Sequence, residues 1–260
     1  MFEKELEAMI KASQIAREKI LEIYHQDFQV EIKSDDSPVT LADKCADKII
    51  RDYLGNLFPE YGFLTEESDD DLSRLDKDYI FVVDPVDGTK DFVAKDDQFT
   101  TNIGLVYKHE VVCGVVSVPA TKEIYFAIKN QGAYYQKDNE KAIQIHVNDK
   151  VDNLTILTSH FHTTKEELEI IENNKDKIVK VEKVGSSLKA CRIAHGLAEL
   201  SYRLNPNTKE WDTAASQIVV SEAGGIFAEP DLTPITYNRK DVYNRKGFII
   251  LNRKENLFIK

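Results

Sequence analysis

Cysteine is scarce in this sequence, and its pattern excludes two kinds of site. The chain of 260 residues has three cysteines, which lie far apart at Cys45, Cys113 and Cys191. An odd number at such distances matches neither a disulfide framework nor the paired spacing of a zinc site. Each cysteine has apolar neighbours, so we expect three buried, reduced thiols, which fit the reducing cytoplasm.

Long apolar runs and an excess of basic residues are also missing. No stretch approaches the roughly 18 apolar residues of a membrane helix, and the amino terminus lacks the basic start and apolar segment of a signal peptide. The formal net charge is -11, which argues against a nucleic-acid polymer as partner, because such binding needs lysine and arginine to replace counterions. We therefore expect a soluble, cytoplasmic protein without a transmembrane segment. A small phosphorylated ligand fits only if metal ions or local basic residues offset the charge.

The first half of the chain has the pattern of an α+β domain. Residues 3–25 and 41–57 have apolar side chains at helical spacing, and the polar stretch 33–38 between them predicts a loop. Strands are predicted at 79–83, 98–107, 111–118, 123–128 and 133–135. We predict a domain over residues 1–150 with an antiparallel sheet and most of the metal ligands discussed below.

The second half alternates between strands and helices. Beyond a polar boundary at 136–153, strands are predicted at 154–158, 178–184, 198–204 and 248–251, and helices at 164–173, 187–196 and 212–223. Such alternation predicts an α/β domain over residues 151–260 with a mostly parallel sheet and the substrate-recognition residues.

The strongest chemical signal follows the strand predicted at 79–83. It is the run Asp84-Pro85-Val86-Asp87-Gly88-Thr89. Pro85 cannot continue a strand ladder, so we expect a turn that places both carboxylates on one side, with the carbonyl of Val86 between them. Carboxylate and carbonyl oxygens are the ligands that Mg²⁺ prefers. Gly88 lets a ligand approach the backbone, and a helix beginning near Thr89 would direct its N–H groups at an anion such as phosphate.

Three other acidic residues can complete such a site, and each also has an ordinary structural explanation. Glu66 lies in an acidic loop and can be a solvated residue. Asp212 opens a predicted helix, where a carboxylate offsets the helix dipole. Asp43 ends the run 40–43, which resembles a capping box with Asp in place of Glu. The run 84–89 can likewise be an ordinary surface turn, so no single position decides the function.

Taken in order, the motifs resemble the lithium-sensitive phosphatase superfamily of inositol monophosphatases, fructose bisphosphatases and bisphosphate nucleotidases. They are Pro38-Val39-Thr40 with Asp43, Glu66-Glu67-Ser68, the run from Asp84 to Phe92, Trp211-Asp212-Thr213-Ala214-Ala215 and Glu222-Ala223-Gly224-Gly225. The resemblance covers nearly the whole chain and implies a layered αβαβα sandwich of the sugar-phosphatase type, α+β in its first part and α/β in its second. Leu64-Thr65 departs from the pattern, since Gly or Ser often precedes the Glu pair.

Other features are similar to one branch, the 3′(2′),5′-bisphosphate nucleotidases of CysQ type. Inositol monophosphatases usually carry Thr-Asn where this chain has Lys90-Asp91. The segments 36–40, 185–189 and Tyr202-Arg203 are also similar to the nucleotidase pattern.

The resemblance implies a mechanism with two or more Mg²⁺ ions and an activated water. Glu66, Asp84 and the Val86 carbonyl would hold one ion, and Asp84, Asp87 and Asp212 would hold a second. One ion would activate the water and the other would neutralise the leaving oxygen.

The resemblance also implies catalytic and substrate-binding roles. Asp43 and Thr89, together with Glu66, would orient and activate the water, and the N–H groups of Gly88 and Thr89 would hold the phosphate. A second phosphate needs a basic site, for which Lys189 and Arg203 are the candidates, although each can also be a solvated surface charge. The residues implied to contact the substrate are Val86, Asp87, Gly88, Thr89, Ser186, Lys189, Arg203 and Asp212.

The expected activity is hydrolysis of the 3′-phosphate of adenosine 3′,5′-bisphosphate, and also of 3′-phosphoadenosine 5′-phosphosulfate. Two alternatives stay open: an inositol monophosphatase or broad sugar-phosphate phosphatase, and a non-catalytic protein that binds divalent cations. The resemblance further implies a cytoplasmic protein that can be peripheral to the bacterial inner membrane.

Overall fold

The computed structural model describes residues 2–32 and 38–259; most of the loop predicted at 33–38 therefore lies outside the described residues. The helices are α1 (Glu3–Tyr24), α2 (Leu41–Leu57), α3 (Thr89–Ala94), α4 (Lys165–Asn173), α5 (Leu188–Ala194) and α6 (Ala214–Glu222). The strands are β1 (Val30–Ile32), β2 (Pro38–Thr40), β3 (Gly62–Thr65), β4 (Tyr79–Asp87), β5 (Thr100–Tyr107), β6 (Glu110–Val118), β7 (Glu123–Ile128), β8 (Ala133–Lys137), β9 (Ile143–Ile145), β10 (Leu154–Thr158), β11 (Ile178–Lys183), β12 (Leu200–Arg203), β13 (Ile226–Ala228) and β14 (Phe248–Leu251). Single 3₁₀ turns occupy Ser73–Asp76, Glu210–Asp212 and Lys254–Asn256.

A seven-stranded sheet contains β3 to β9, each beside the next in sequence order. β3 is parallel to β4, and every later pair is antiparallel. The strands β3 and β9 escaped prediction because both are short; β9 lies inside the polar stretch predicted as a domain boundary.

The five-stranded sheet has the order β11-β10-β12-β14-β13 and is mixed. β10 pairs in parallel with β11 and β12, whereas β14 pairs antiparallel with β12 and β13. The prediction of a mostly parallel sheet is therefore wrong. Parallel neighbours need a crossover connection, usually a helix, and the chain between β13 and β14 returns without one.

Successive side chains of a strand point to opposite faces of its sheet, and other elements pack on both faces, which produces the layers. Phe81 and Val83 of β4 share one core with α1 and α2, while Val82 faces a second core that contains α5 and α6. Phe248 of β14 contacts that same second core, and its neighbour Ile249 belongs to a third core with α4. The result is the predicted αβαβα sandwich, which is confirmed.

The core around α5 and α6 joins side chains from both halves of the chain, including β4 and β14. The division into two domains near residue 150 stays a prediction. All three cysteines carry free thiols, and Cys45 is the least buried of them. Within the described ranges, no helix has both the length and the apolar content needed to cross a bilayer.

Candidate active site

The run 84–89 is held by a β-bulge rather than by the predicted turn. β4 continues through Pro85 to Asp87, but Asp84 lies opposite Asn102 and Asp87 opposite Thr100, so β4 has one extra residue there. The bulge accommodates a residue without an N–H donor and re-aims the neighbouring side chains. The prediction of a turn is wrong, but the bulge has the expected effect of bringing the carboxylates together.

Three carboxylates form a cluster, which we call the acidic cluster: Asp84, Asp87 and Asp212. Each offers one oxygen, and these oxygens lie within 4.8 Å of one another. Asp212 reaches the cluster from the 3₁₀ turn ahead of α6, where its Oδ2 accepts a hydrogen bond from the N–H of Lys209 at 2.6 Å. The cluster therefore combines residues that are far apart in sequence.

The acidic cluster has the properties of a cation site. Asp84 is 1% exposed, and its Oδ1 has no hydrogen-bond partner among the described residues. Burial, and then the charges of Glu66 and Asp87, raise the pKa of Asp84 well above its usual value. Burial and the charge of Asp87 raise the pKa of Asp212 to about 7. A divalent ion with oxygen ligands would remove this repulsion, so the residues present fit the implied metal.

Asp87 is oriented by donors from two layers of the fold. Its Oδ2 accepts hydrogen bonds from Ser187 N at 2.7 Å and Ser187 Oγ at 2.6 Å. The same oxygen accepts from Asn102 Nδ2 at 3.1 Å and Thr100 Oγ1 at 3.3 Å. Sequence reasoning missed these three residues. Ser187 lies inside the segment 185–189, which is similar to the nucleotidase pattern, but Asn102 and Thr100 are strand residues without any motif.

Asp43 serves two contacts at once, one with each oxygen. Its Oδ2 accepts from Thr40 N at 2.8 Å and Thr40 Oγ1 at 2.6 Å, as part of the capping box that begins α2. Its Oδ1 accepts from Thr89 Oγ1 at 3.2 Å. The capping role and the contact with Thr89 therefore coexist. Burial raises the pKa of Asp43.

Gly88 connects the bulge to α3 and has little room around it. Its φ is 88°, and a Cβ there would lie 3.1 Å from Ser186 Cβ and 3.2 Å from Asp91 Oδ2. A side chain would be strained and crowded at this position.

The two predicted basic residues, Lys189 and Arg203, form what we call the basic pair. Lys189 Nζ donates to the carbonyls of Val184 at 3.1 Å and Ser186 at 2.7 Å. Burial is the main cause that lowers the pKa of Lys189 to about 8; the charge of Asp87 opposes this shift, and the charge of Arg203 adds to it. Arg203 Nη1 donates to the carbonyl of His162 at 2.7 Å, and burial lowers the pKa of Arg203.

Ser186 lines the cleft. Its Oγ donates to the Gln98 carbonyl at 2.8 Å. The first N–H of α5, from Leu188, donates back to this Oγ at 3.4 Å.

One cleft of about 720 Å³ brings these groups together. Every predicted site residue lines it except Asp43, which reaches it through Thr89. The lining residues that sequence reasoning did not propose include Lys90, Asp91, His162, Lys209, Trp211 and Tyr243. Burial and the charges of Arg203, Lys90 and Lys189 lower the pKa of His162 to about 4, which keeps it neutral beside the basic pair.

Comparison with known proteins places this geometry in a family. Residues 2–257 match the model of the inositol monophosphatase family. The chain is 32% identical over 246 residues to the 3′(2′),5′-bisphosphate nucleotidase CysQ of Salmonella typhimurium, covering 94% of this chain and 98% of that protein. It is 30% identical over 248 residues to the protein of the same name from Aggregatibacter actinomycetemcomitans, covering 94% and 91%.

A solved structure agrees with both matches. The crystal structure of CysQ from Bacteroides thetaiotaomicron, a bacterial member of the inositol monophosphatase family, superposes with a TM-score of 0.83 at 34% identity, covering 98% of this chain and 99% of that one. The acidic cluster, the cleft and these matches lead to one conclusion: the chain belongs to the inositol monophosphatase family and is a metal-dependent phosphatase.

Proposed function

We propose that the chain is a Mg²⁺-dependent nucleotidase that removes the 3′-phosphate of adenosine 3′,5′-bisphosphate, giving AMP and phosphate. We propose 3′-phosphoadenosine 5′-phosphosulfate as a second substrate. The observation that carries the proposal is that one cleft contains both the acidic cluster and the basic pair. A substrate with a phosphate at each end matches this pairing of charges, and the names of the similar CysQ proteins support it.

The acidic cluster would hold the metal ions together with Glu66 and the Val86 carbonyl. Glu66, Asp84 and the Val86 carbonyl would bind one, and Asp84, Asp87 and Asp212 would bind another. When bound, Mg²⁺ would supply the charge that activates water and that neutralises the leaving oxygen. The buried Oδ1 of Asp84, which has no hydrogen-bond partner within residues 2–32 and 38–259, supports Asp84 as the shared ligand.

Thr89 and Asp43 would orient the attacking water. The Thr89 hydroxyl lies 3.2 Å from Asp43 Oδ1 and 3.3 Å from the Val86 carbonyl. When the hydroxyl donates to Asp43, its lone pairs can accept a hydrogen bond from water and so direct the water oxygen at phosphorus. Asp43 is itself fixed by the helix cap, so the pair needs no rearrangement to act.

The phosphates would be held at two separate places. The N–H groups of Gly88 and Thr89 would bind the scissile phosphate. Arg203, and the one Nζ hydrogen that Lys189 does not donate to the two carbonyls, would bind the other phosphate. Ser186 would contribute through the turn that it closes rather than through a donated hydrogen bond.

A substrate panel tests the proposal. With Mg²⁺ and the purified chain, phosphate release is measured from adenosine 3′,5′-bisphosphate, 3′-phosphoadenosine 5′-phosphosulfate, adenosine 3′-phosphate, inositol 1-phosphate and fructose 1,6-bisphosphate. We expect the highest kcat/KM for adenosine 3′,5′-bisphosphate. We expect no phosphate release from any substrate without a divalent ion. A preference for inositol 1-phosphate would show that the chain is an inositol monophosphatase rather than a nucleotidase. No release from any of them would favour a cation-binding protein without activity.

A cytoplasmic location, with peripheral attachment to the inner membrane, is part of the same proposal. The three free thiols support a reducing compartment. Fractionation of cells that express the chain tests both parts of this proposal.

A further inference from the structure

Asp91, in the segment that distinguishes the nucleotidase branch, does not point at the acidic cluster. It is 5% exposed, and its Oδ1 lies 2.6 Å from Nδ1 of His160. Asp96 Oδ2 lies 3.3 Å from the same nitrogen. A nitrogen between two carboxylates carries its hydrogen, so the ring donates from Nδ1. The contact joins α3, on the seven-stranded sheet, to the loop that follows β10 of the other sheet.

The same loop reaches the basic pair. Two residues after His160, the carbonyl of His162 accepts the 2.7 Å hydrogen bond from Arg203. The loop is closed on itself by the hydroxyl of Thr163, which donates to the Ser159 carbonyl at 3.0 Å. Thr164 ends the loop by capping α4. The loop therefore transmits the position of His160 to the carbonyl that Arg203 contacts.

Arg203 needs such a tether. The charge of Arg203 lowers the pKa of Lys189, so the two cations repel each other. The carboxylates of Glu167, Asp212 and Asp87 attract the guanidinium, so without a fixed acceptor its position would depend on opposing charges on several sides. The His162 carbonyl provides that acceptor.

We propose that His160 and Asp91 are positioning residues for substrate specificity: their contact holds the loop 159–163 so that the His162 carbonyl keeps Arg203 in place for the non-reacting phosphate. This inference rests on the proposed function, because it assigns Arg203 to that phosphate. It also gives a physical role to Asp91, where inositol monophosphatases usually carry another residue.

The test compares two substrates that differ only in the second phosphate, adenosine 3′,5′-bisphosphate and adenosine 3′-phosphate. His160→Ala should lower kcat/KM for the bisphosphate about tenfold, as expected for a weakened hydrogen bond to a charged group. The same variant should keep kcat/KM for adenosine 3′-phosphate within about twofold of the wild-type value, the ordinary effect of a change remote from the reacting atoms. His160→Asn should restore most of the loss, because its Nδ2 can donate from nearly the position of Nδ1.

A double variant separates positioning from general structure. Since His160 acts through Arg203, adding His160→Ala to Arg203→Ala should lower kcat/KM for the bisphosphate almost no further. His25→Ala, an exposed histidine after α1, is the matched control and should leave both substrates unchanged. Equal losses on both substrates, full additivity or no rescue by Asn would overturn the inference. A wild-type chain that fails on the bisphosphate would instead overturn the proposed function, and the inference with it.

Discussion

The acidic cluster and the basic pair occupy one cleft but are stabilised in different ways. In the acidic cluster, burial and mutual repulsion raise the pKa values of Asp84 and Asp212, and Asp84 Oδ1 has no partner among the described residues. In the basic pair, burial lowers the pKa values of Lys189 and Arg203, yet both side chains donate to backbone carbonyls.

The difference shows which group depends on a ligand. Carbonyl dipoles already solvate the cations of the basic pair, so these residues keep their positions before an anion arrives. In the part of the chain that the structure describes, no comparable set of donors surrounds Asp84, so the acidic cluster requires cations to become fully ionised. Metal binding should therefore matter for every substrate, whereas anion binding by the basic pair should matter only for substrates with a second anion.

The largest effect should follow from neutralising the acidic cluster. Asp84→Asn and Asp212→Asn should each lower kcat by at least about 10²–10³, the usual cost of losing one electrostatic contact at the transition state. The measurement is phosphate release from the bisphosphate with saturating Mg²⁺. Asp152→Asn, at an exposed position, is the control. A folded Asp84→Asn variant that retained a tenth of wild-type turnover would show that the assigned ligands are wrong.

The second effect concerns the hydroxyl beside the acidic cluster. Thr89→Val keeps the shape of the side chain but removes the donor to Asp43, so we expect kcat to fall by about 10² with KM little changed. Thr89→Ser should retain most activity because it keeps the hydroxyl. If Val and Ser behave alike, the hydroxyl has no role in orienting water.

The basic pair should give a smaller and substrate-dependent effect. Arg203→Ala should lower kcat/KM for adenosine 3′,5′-bisphosphate by about tenfold to a hundredfold and leave adenosine 3′-phosphate nearly unchanged. Lys189→Ala should impair both substrates, because Lys189 also holds the carbonyls of Val184 and Ser186 ahead of the residue that orients Asp87. If both variants lost the same activity on each of the two substrates, Lys189 would have no structural role beyond that of Arg203.

The acidic cluster was easier to predict from sequence than its surroundings. Asp84, Asp87 and Asp212 lie in short motifs, so a resemblance to a family identifies them. Asn102 and Thr100 orient Asp87 only because β4 has one extra residue opposite β5, and strand register cannot be read from composition.

The basic pair shows the opposite limit. Its residues were identified, but a sequence does not reveal that Lys189 would face two carbonyls or that Arg203 would contact the loop after β10. Most helices and strands followed from apolar periodicity, and the layered fold from the resemblance to the family. The antiparallel direction of β14 depended on a connection without a helix, which periodicity does not report.

The smallest effect is a pH dependence of stability that should depend on the metal. The carboxyl of Asp212 has a pKa of about 7 in the folded chain, against 3.8 as its ordinary value. Between these values the folded state holds a proton that the unfolded state has lost, so the metal-free chain should lose stability as pH rises from about 4 to 7. Mg²⁺ must displace this proton, and its stabilising effect should therefore grow over the same range. Thermal unfolding with chelator and with Mg²⁺, at about pH 5 and about pH 8, measures both trends; about 1 kcal/mol corresponds to a Tm shift of about 2–4 °C. Asp212→Asn should weaken both trends, leaving the part that comes from Asp84. A Tm increase by Mg²⁺ that is equally large at both pH values would contradict the raised pKa, and with it the view that the acidic cluster waits for its cation.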